Sequence, residues 1–243
     1  MENKEKSRLF LTIFNEIEDY SRRLSGRDDY VSFGSIVREL AEIRGEFNRY
    51  KEDLRDFARL RNAIVHNPDK RNADPIAEPH EYIIEKFARI KNELINPSKA
   101  IDKLAVRMEK IFTASMNDSA SEIMSKMGEN GYSYVPIIND GYIIGMFCEH
   151  TVFSYIDKHK KINLGDMKIE AFSEFISLDK HVNEAFVFIH RDTLVYEVED
   201  LFKAALRKNR RIASVFITQN GKASERLLGL ITAWDVAGYN DEQ

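Results

Sequence analysis

Two short runs hold the residues best able to do chemistry in this 243-residue chain. In the first, Leu60-Arg61-Asn62-Ala63-Ile64-Val65-His66-Asn67, an amide and an imidazole stand four residues apart. On a helix that spacing puts Asn62 and His66 on one face, where the amide can orient the ring. Imidazole titrates near working pH, so His66 suits proton transfer, and Arg61 offers an anion a permanently charged fork. Arg61 lies about 140° around an ideal helix from His66, so one copy of the run converges poorly on a ligand. Two copies facing across a two-fold axis would gather both pairs in one cleft. The second run is Gly229-Leu230-Ile231-Thr232-Ala233-Trp234-Asp235. Gly229 lets a ligand approach the backbone, Thr232 places a hydroxyl beside phosphate-attracting helix N–H groups, and Asp235 can accept two ribose hydroxyls. The same Thr-x-x-Asp spacing is also a capping box that satisfies orphan helix donors, and both readings stand at this point.

The elements that must position these runs follow from periodicity. Apolar residues at three- and four-residue steps predict helices through Phe10, Ile13, Phe14, Ile17 and Leu24, through Ile36, Val37, Leu40 and Ile43, and through Phe47, Tyr50, Leu54, Phe57 and Ile64. The third stripe stops near Asn67-Pro68, because the residue before proline is pushed out of the helical region. A polar loop leads to Pro79, expected in the first turn of a fourth helix with Ile83, Phe87, Ile90 and Leu94 inward. Asn96-Pro97-Ser98 punctuates its end.

Beyond residue 103 a repeat replaces the long stripes. A helix over 119–128 precedes strands Tyr134–Ile138 and Tyr142–Phe147, joined by Asp140-Gly141, a pair suited to a tight hairpin. A helix over 194–207 precedes strands Ala213–Ile217 and Leu227–Thr232 with a turn through Asn220-Gly221, and a short helix follows each hairpin. The predicted fold class is therefore α plus α+β: an N-terminal four-helix bundle over 1–97, then a tandem βαββα pair over 103–243 with repeats at about 104–160 and 183–240.

Composition narrows the function classes. The charged fraction is high, 31%, but the net charge is only −4, which argues against a bulk positive field for nucleic acid. The single cysteine, Cys148, cannot form an internal disulfide, and the polar opening lacks a signal-peptide core, so a reducing cytoplasm is expected. Apolar runs are too short to span a bilayer, so no membrane partner is expected. No His, Cys or carboxylate spacing marks a metal site, and His80, His150, His159, His181 and His190 are scattered. Tyr132, Tyr134, Phe147, Phe153, Met124 and Met127 read as core.

Asp192-Thr193-Leu194-Val195 together with Gly229 to Asp235 resembles the pattern of CBS domains, and the resemblance covers residues about 104–240. It implies a regulatory ligand, AMP, ATP or a related adenosyl compound, with no other cofactor required. Thr232 would meet phosphate, Asp235 the ribose, and the base would pack against Ile189 to Thr193. Arg210 or Arg211 would meet phosphate. The first repeat departs from the signature, with Cys148 where Thr belongs and Thr151 where Asp belongs, so one competent site per chain is expected.

Residues about 5–96 resemble HEPN domains through the R-N-x-x-x-H run at Arg61, Asn62 and His66. That resemblance implies a homodimer and a candidate metal-independent endoribonuclease acting on RNA, with His66 moving a proton and Arg61 neutralising the phosphorane. The combined expectation is an adenine-nucleotide sensor controlling such a dimer. The alternative is a non-catalytic sensor whose helical domain only dimerises or docks a protein partner.

Overall fold

The computed structural model describes residues 2–27, 30–65, 78–161, 163, 165–181, 184–209 and 211–241. His66, Asn67 and Arg210 lie outside the described residues. The chain divides into two compact units, Met1–Pro97 and Ser98–Gln243. Among the described residues no helix is long and apolar enough to cross a membrane.

The first unit contains helices α1 (Glu2–Ser25), α2 (Phe33–Ile43), α3 (Gly45–Val65) and α4 (Glu81–Ile95). Their apolar stripes meet in one core, where the Phe87 ring centroid lies 4.3 Å from Phe57 and 5.0 Å from Phe10. Ser32 caps α2 by accepting from the Ser35 N–H. At α4 two details depart from the expected helix. His80 is the N-cap and Pro79 precedes it, buried, so the proline sets the chain's entry rather than the first turn. Ile84 is buried with Phe87, Ile90 and Leu94, while Ile83 packs on the same core only partly buried.

The second unit mixes helix and sheet. It opens with α5 (Ala100–Lys103) and a two-residue strand, β1 (Val106–Arg107). Then follow α6 (Ala120–Asn130), β2 (Tyr134–Asn139), β3 (Tyr142–Cys148) and α7 (Glu149–His159). The last part contains β4 (Glu184–His190), α8 (Val195–Arg207), β5 (Arg211–Thr218), β6 (Gly229–Ile231) and α9 (Ala233–Asp241). β2 and β3 form an antiparallel hairpin whose turn residues Asp140 and Gly141 take φ of 50° and 86°, the left-handed pair such a turn demands. The four-stranded sheet runs β1-β6-β5-β4, with β4 and β5 parallel across α8. In the first half one parallel bridge, Ala114 to Ile137, stands where β4 stands in the second.

Each half has its own apolar cluster, and a third, built on Ile143, Met146, Phe216 and Leu227, joins the two hairpins. The second hairpin is looser than its Asn-Gly pair suggests. β6 starts only at Gly229, and the connection is closed by Glu225, which accepts from the Asn220 backbone N–H at 2.6 Å and from its amide at 2.7 Å.

Those bonds hold the Glu225 carboxyl down from its usual 4.5 to about 2. A depressed carboxylate contributes stability that is present above its unfolded value and is lost as pH falls through the folded one. The stability difference between wild type and Glu225→Gln, measured by urea unfolding, should therefore be constant above pH 4.5 and shrink toward pH 2.

Candidate functional site

In both halves a strand ends in glycine-bearing sequence and feeds directly into a helix N-terminus. At the second, Thr232 is the N-cap: its carbonyl accepts from the Val236 N–H, and its own N–H donates to Asp235 Oδ2 at 2.7 Å. The Thr232 hydroxyl donates to the same oxygen at 2.7 Å. The capping role is thus real. Both bonds end on Oδ2, and Oδ1 has no hydrogen-bond partner among the described residues.

Thr232 and Asp235 border a cavity of about 400 Å³. Its apolar lining includes Val106, Ile111, Phe112, Ile212, Ala213 and Leu230. Arg211, the first residue of β5, and Lys110 both line it, and neither makes an ion pair among the described residues. Four rings stand at it: Tyr132, which stacks on Phe112 with centroids 5.5 Å apart, Tyr134, and Trp234, 85% exposed. Helix donors and two cations beside aromatic surface suit a ligand that is anionic at one end and flat at the other.

The expected base-side residues are not there. Ile189 is buried in the core cluster that includes Val195 and Val198, and the Thr193 carbonyl accepts from the Ala100 N–H at 2.8 Å, so this stretch packs against α5 instead. The segment Val106 to Phe112 takes the place against the cavity, because β1 pairs with β6 in the register Arg107 to Gly229. Gly229 serves that pairing: a Cβ there would stand 3.1 Å from the Val106 carbonyl oxygen and 3.2 Å from Ala105 Cβ. What approaches this glycine is the chain's own backbone. Lys110 and Phe112 carried no signal in the sequence beyond the cationic and aromatic character of 110–112, and Tyr132, expected in the core, stands at the cavity. Tyr132 and Phe153 are exposed, so two of the six residues read as core lie elsewhere, while Tyr134 packs partly buried against the cluster that joins the hairpins and also lines the cavity.

The first half repeats the geometry without the opening. The Cys148 N–H donates to Thr151 Oγ1 at 3.3 Å, and that hydroxyl donates to the Met146 carbonyl at 3.2 Å. Cys148 and Thr151 are both buried. The Met146 N–H donates to the Ile176 carbonyl at 2.7 Å, and a Cβ on Gly145 would stand 2.6 Å from that same oxygen. Burial pushes the Cys148 thiol up, and burial together with the charge of His150 pushes His181 down.

In the helical unit, Arg61 is half-buried. Its Nη1 donates to Asn62 Oδ1 at 3.3 Å, and its guanidinium carbon lies 5.7 Å from the Phe14 ring centroid. Asn62, expected to orient His66, is engaged by its neighbour. His66 itself falls outside the described residues.

The sequence model of the CBS domain family matches residues 104–158. No curated protein matches the chain. Similar solved structures include CbpB in complex with c-di-AMP, 13% identical over 65% of this chain and 93% of that one, with a TM-score of 0.46. CBSX2 in complex with AMP is 10% identical over 60% and 99%, TM-score 0.42. A CBS domain protein from Streptococcus pneumoniae TIGR4 is 12% identical over 59% and 87%, TM-score 0.41. The family match falls on the half whose Thr and Asp are replaced by Cys148 and Thr151, while the intact run lies in the half beyond it.

The two glycines should differ in tolerance. Gly145→Ala drives a methyl into backbone and should cost about 1–3 kcal/mol as overpacking does. Gly229→Ala, with contacts only slightly tight, should cost less, since alanine also lowers the unfolded chain's entropy by about 0.4–1 kcal/mol. Urea unfolding of the two variants measures the order.

Proposed function

We propose that this chain is an adenine-nucleotide-sensing regulatory protein, binding one nucleotide per chain at the cavity beside Thr232 and Asp235. The observation that carries the reading is the convergence there of an α9 N-terminus, two cations without ion-pair partners among the described residues, Arg211 and Lys110, and the rings of Phe112, Tyr132 and Trp234. In this reading phosphate sits at the Thr232 N-terminus with Arg211 and Lys110, the ribose hydroxyls donate to Asp235 Oδ1, and the base lies along Val106 to Phe112. The volume of about 400 Å³ falls within the ~300–1,000 Å³ usual for small-ligand sites. The CBS match over 104–158 supports an adenosyl ligand over other anions. The buried Cys148 and Thr151 support a single site rather than two.

The helical unit is the output in this reading, as a homodimer or a docking surface. The Arg61 contacts to Phe14 and Asn62 favour that over ribonuclease chemistry, because a guanidinium held on a ring and an amide is less free to meet a phosphorane. Purified protein that cuts a structured RNA in chelator, with cutting abolished by both Arg61→Ala and His66→Ala, would restore the ribonuclease reading.

Trp234 is the only tryptophan and stands at the cavity, so it reports binding directly. AMP and c-di-AMP are the first probes. One of them should quench its fluorescence and titrate by calorimetry to about one per chain. Asp235→Ala should weaken binding by ~1.5–3 kcal/mol, the range for a hydrogen bond to a charged group. Affinity unchanged in Asp235→Ala would sink the assignment.

A further inference from the structure

At the closed first-half site Cys148 meets two residues more than thirty positions further along the chain, His181 and Glu184. Cys148 ends β3, His181 lies in the segment leading to β4, and Glu184 begins β4. One potential ligand atom from each lies within 4.8 Å of the other two. Cys148 and His181 are each 3% exposed, and Glu184 is half-buried. The sequence showed no metal-ligand spacing because residues 148, 181 and 184 become neighbours only through the packing of the 176–181 segment on β3.

We propose that Cys148, His181 and Glu184 form a binding site for a zinc-class divalent ion, with three protein ligands and one open position. Thiolate, imidazole and carboxylate are all ligands zinc accepts, and three of them with a vacant fourth place is a known arrangement for it. Cys148 Sγ and His181 Nδ1 stand 3.7 Å apart. Bonds of about 2.3 Å to sulfur and about 2.0–2.1 Å to nitrogen at a tetrahedral angle require about 3.6 Å. A Glu184 carboxylate oxygen, the third ligand, lies within 4.8 Å of both.

Two further observations point to a ligand. Glu184 Oε2 is buried with no hydrogen-bond partner among the described residues, a costly arrangement for a carboxylate oxygen unless something else satisfies it. The other Glu184 oxygen, Oε1, accepts from the Tyr134 hydroxyl, which fixes the carboxylate as outer hydrogen bonds fix metal ligands. Binding would release the Cys148 proton, since a thiolate is the ligand.

The full chain, made without a histidine tag and stripped with chelator, is titrated with Co²⁺ and followed by absorption. One equivalent should bring up tetrahedral cobalt bands and a thiolate-to-cobalt charge-transfer band, both removed by Zn²⁺. Cys148 is the only cysteine, so that band can arise from no other residue. Cys148→Ser should lose it. Glu184→Gln should keep it while weakening Co²⁺ by at least about tenfold, and Tyr134→Phe should weaken Co²⁺ by about 10–100-fold, as loss of an outer partner does. No charge-transfer band in the wild type at excess Co²⁺, or a Glu184→Gln titration identical to wild type, would overturn the site. Nucleotide binding is read separately by Trp234, so the two proposals fail independently.

Discussion

Close backbone approach at two glycines organises the second unit. Gly145 lets the Ile176 carbonyl reach the Met146 N–H, and Gly229 lets β1 lie against β6. In each half, therefore, the segment that precedes the other half is drawn against the strand that ends at the helix N-terminus. The halves are interlocked through these segments, and the apolar cluster around Met146 and Phe216 fills the space between them. A side chain at Gly145 would push its segment away, whereas one at Gly229 would ask β1 to give only slightly.

The same scaffold gives two outcomes because four side chains differ. Around α9, Thr232 and Asp235 are half-exposed, and the approaching segment brings Lys110 and Phe112 to an open cavity. Around α7, Cys148 and Thr151 are buried, and the approaching segment brings His181 to within 3.7 Å of the thiol. One end keeps room for a small anionic ligand, and the other closes on a thiol, an imidazole and a carboxylate. Tyr134 belongs to both, lining the cavity and donating to Glu184.

Much of the fold was legible because local pattern dictates it. The stripes through Phe10, Leu54 and Phe87 had nowhere to go but a shared core, and Asp140-Gly141 could supply the left-handed pair a tight hairpin needs. The Thr232 to Asp235 run was legible for the same reason, since a capping pair and a ligand pair use one spacing. What local pattern does not encode is which leading segment lies on which strand. The resemblance put the base beside Ile189 to Thr193, whereas β1 pairing places Val106 to Phe112 at the cavity. The Cys148, His181 and Glu184 group was hidden likewise, because only tertiary packing brings Cys148 to the His181 and Glu184 pair. Pro79 misled by one turn, as its fixed φ suits the residue before an N-cap as well as the first turn.

The central claim is a single nucleotide site walled by the segment that precedes the first half. A crystal structure of the full chain grown with AMP tests it most directly. The account predicts one AMP per chain, its ribose on Asp235 and its base against Val106 to Phe112. AMP lodged at Cys148 and Thr151, or a base stacked along Ile189 to Thr193, would contradict it.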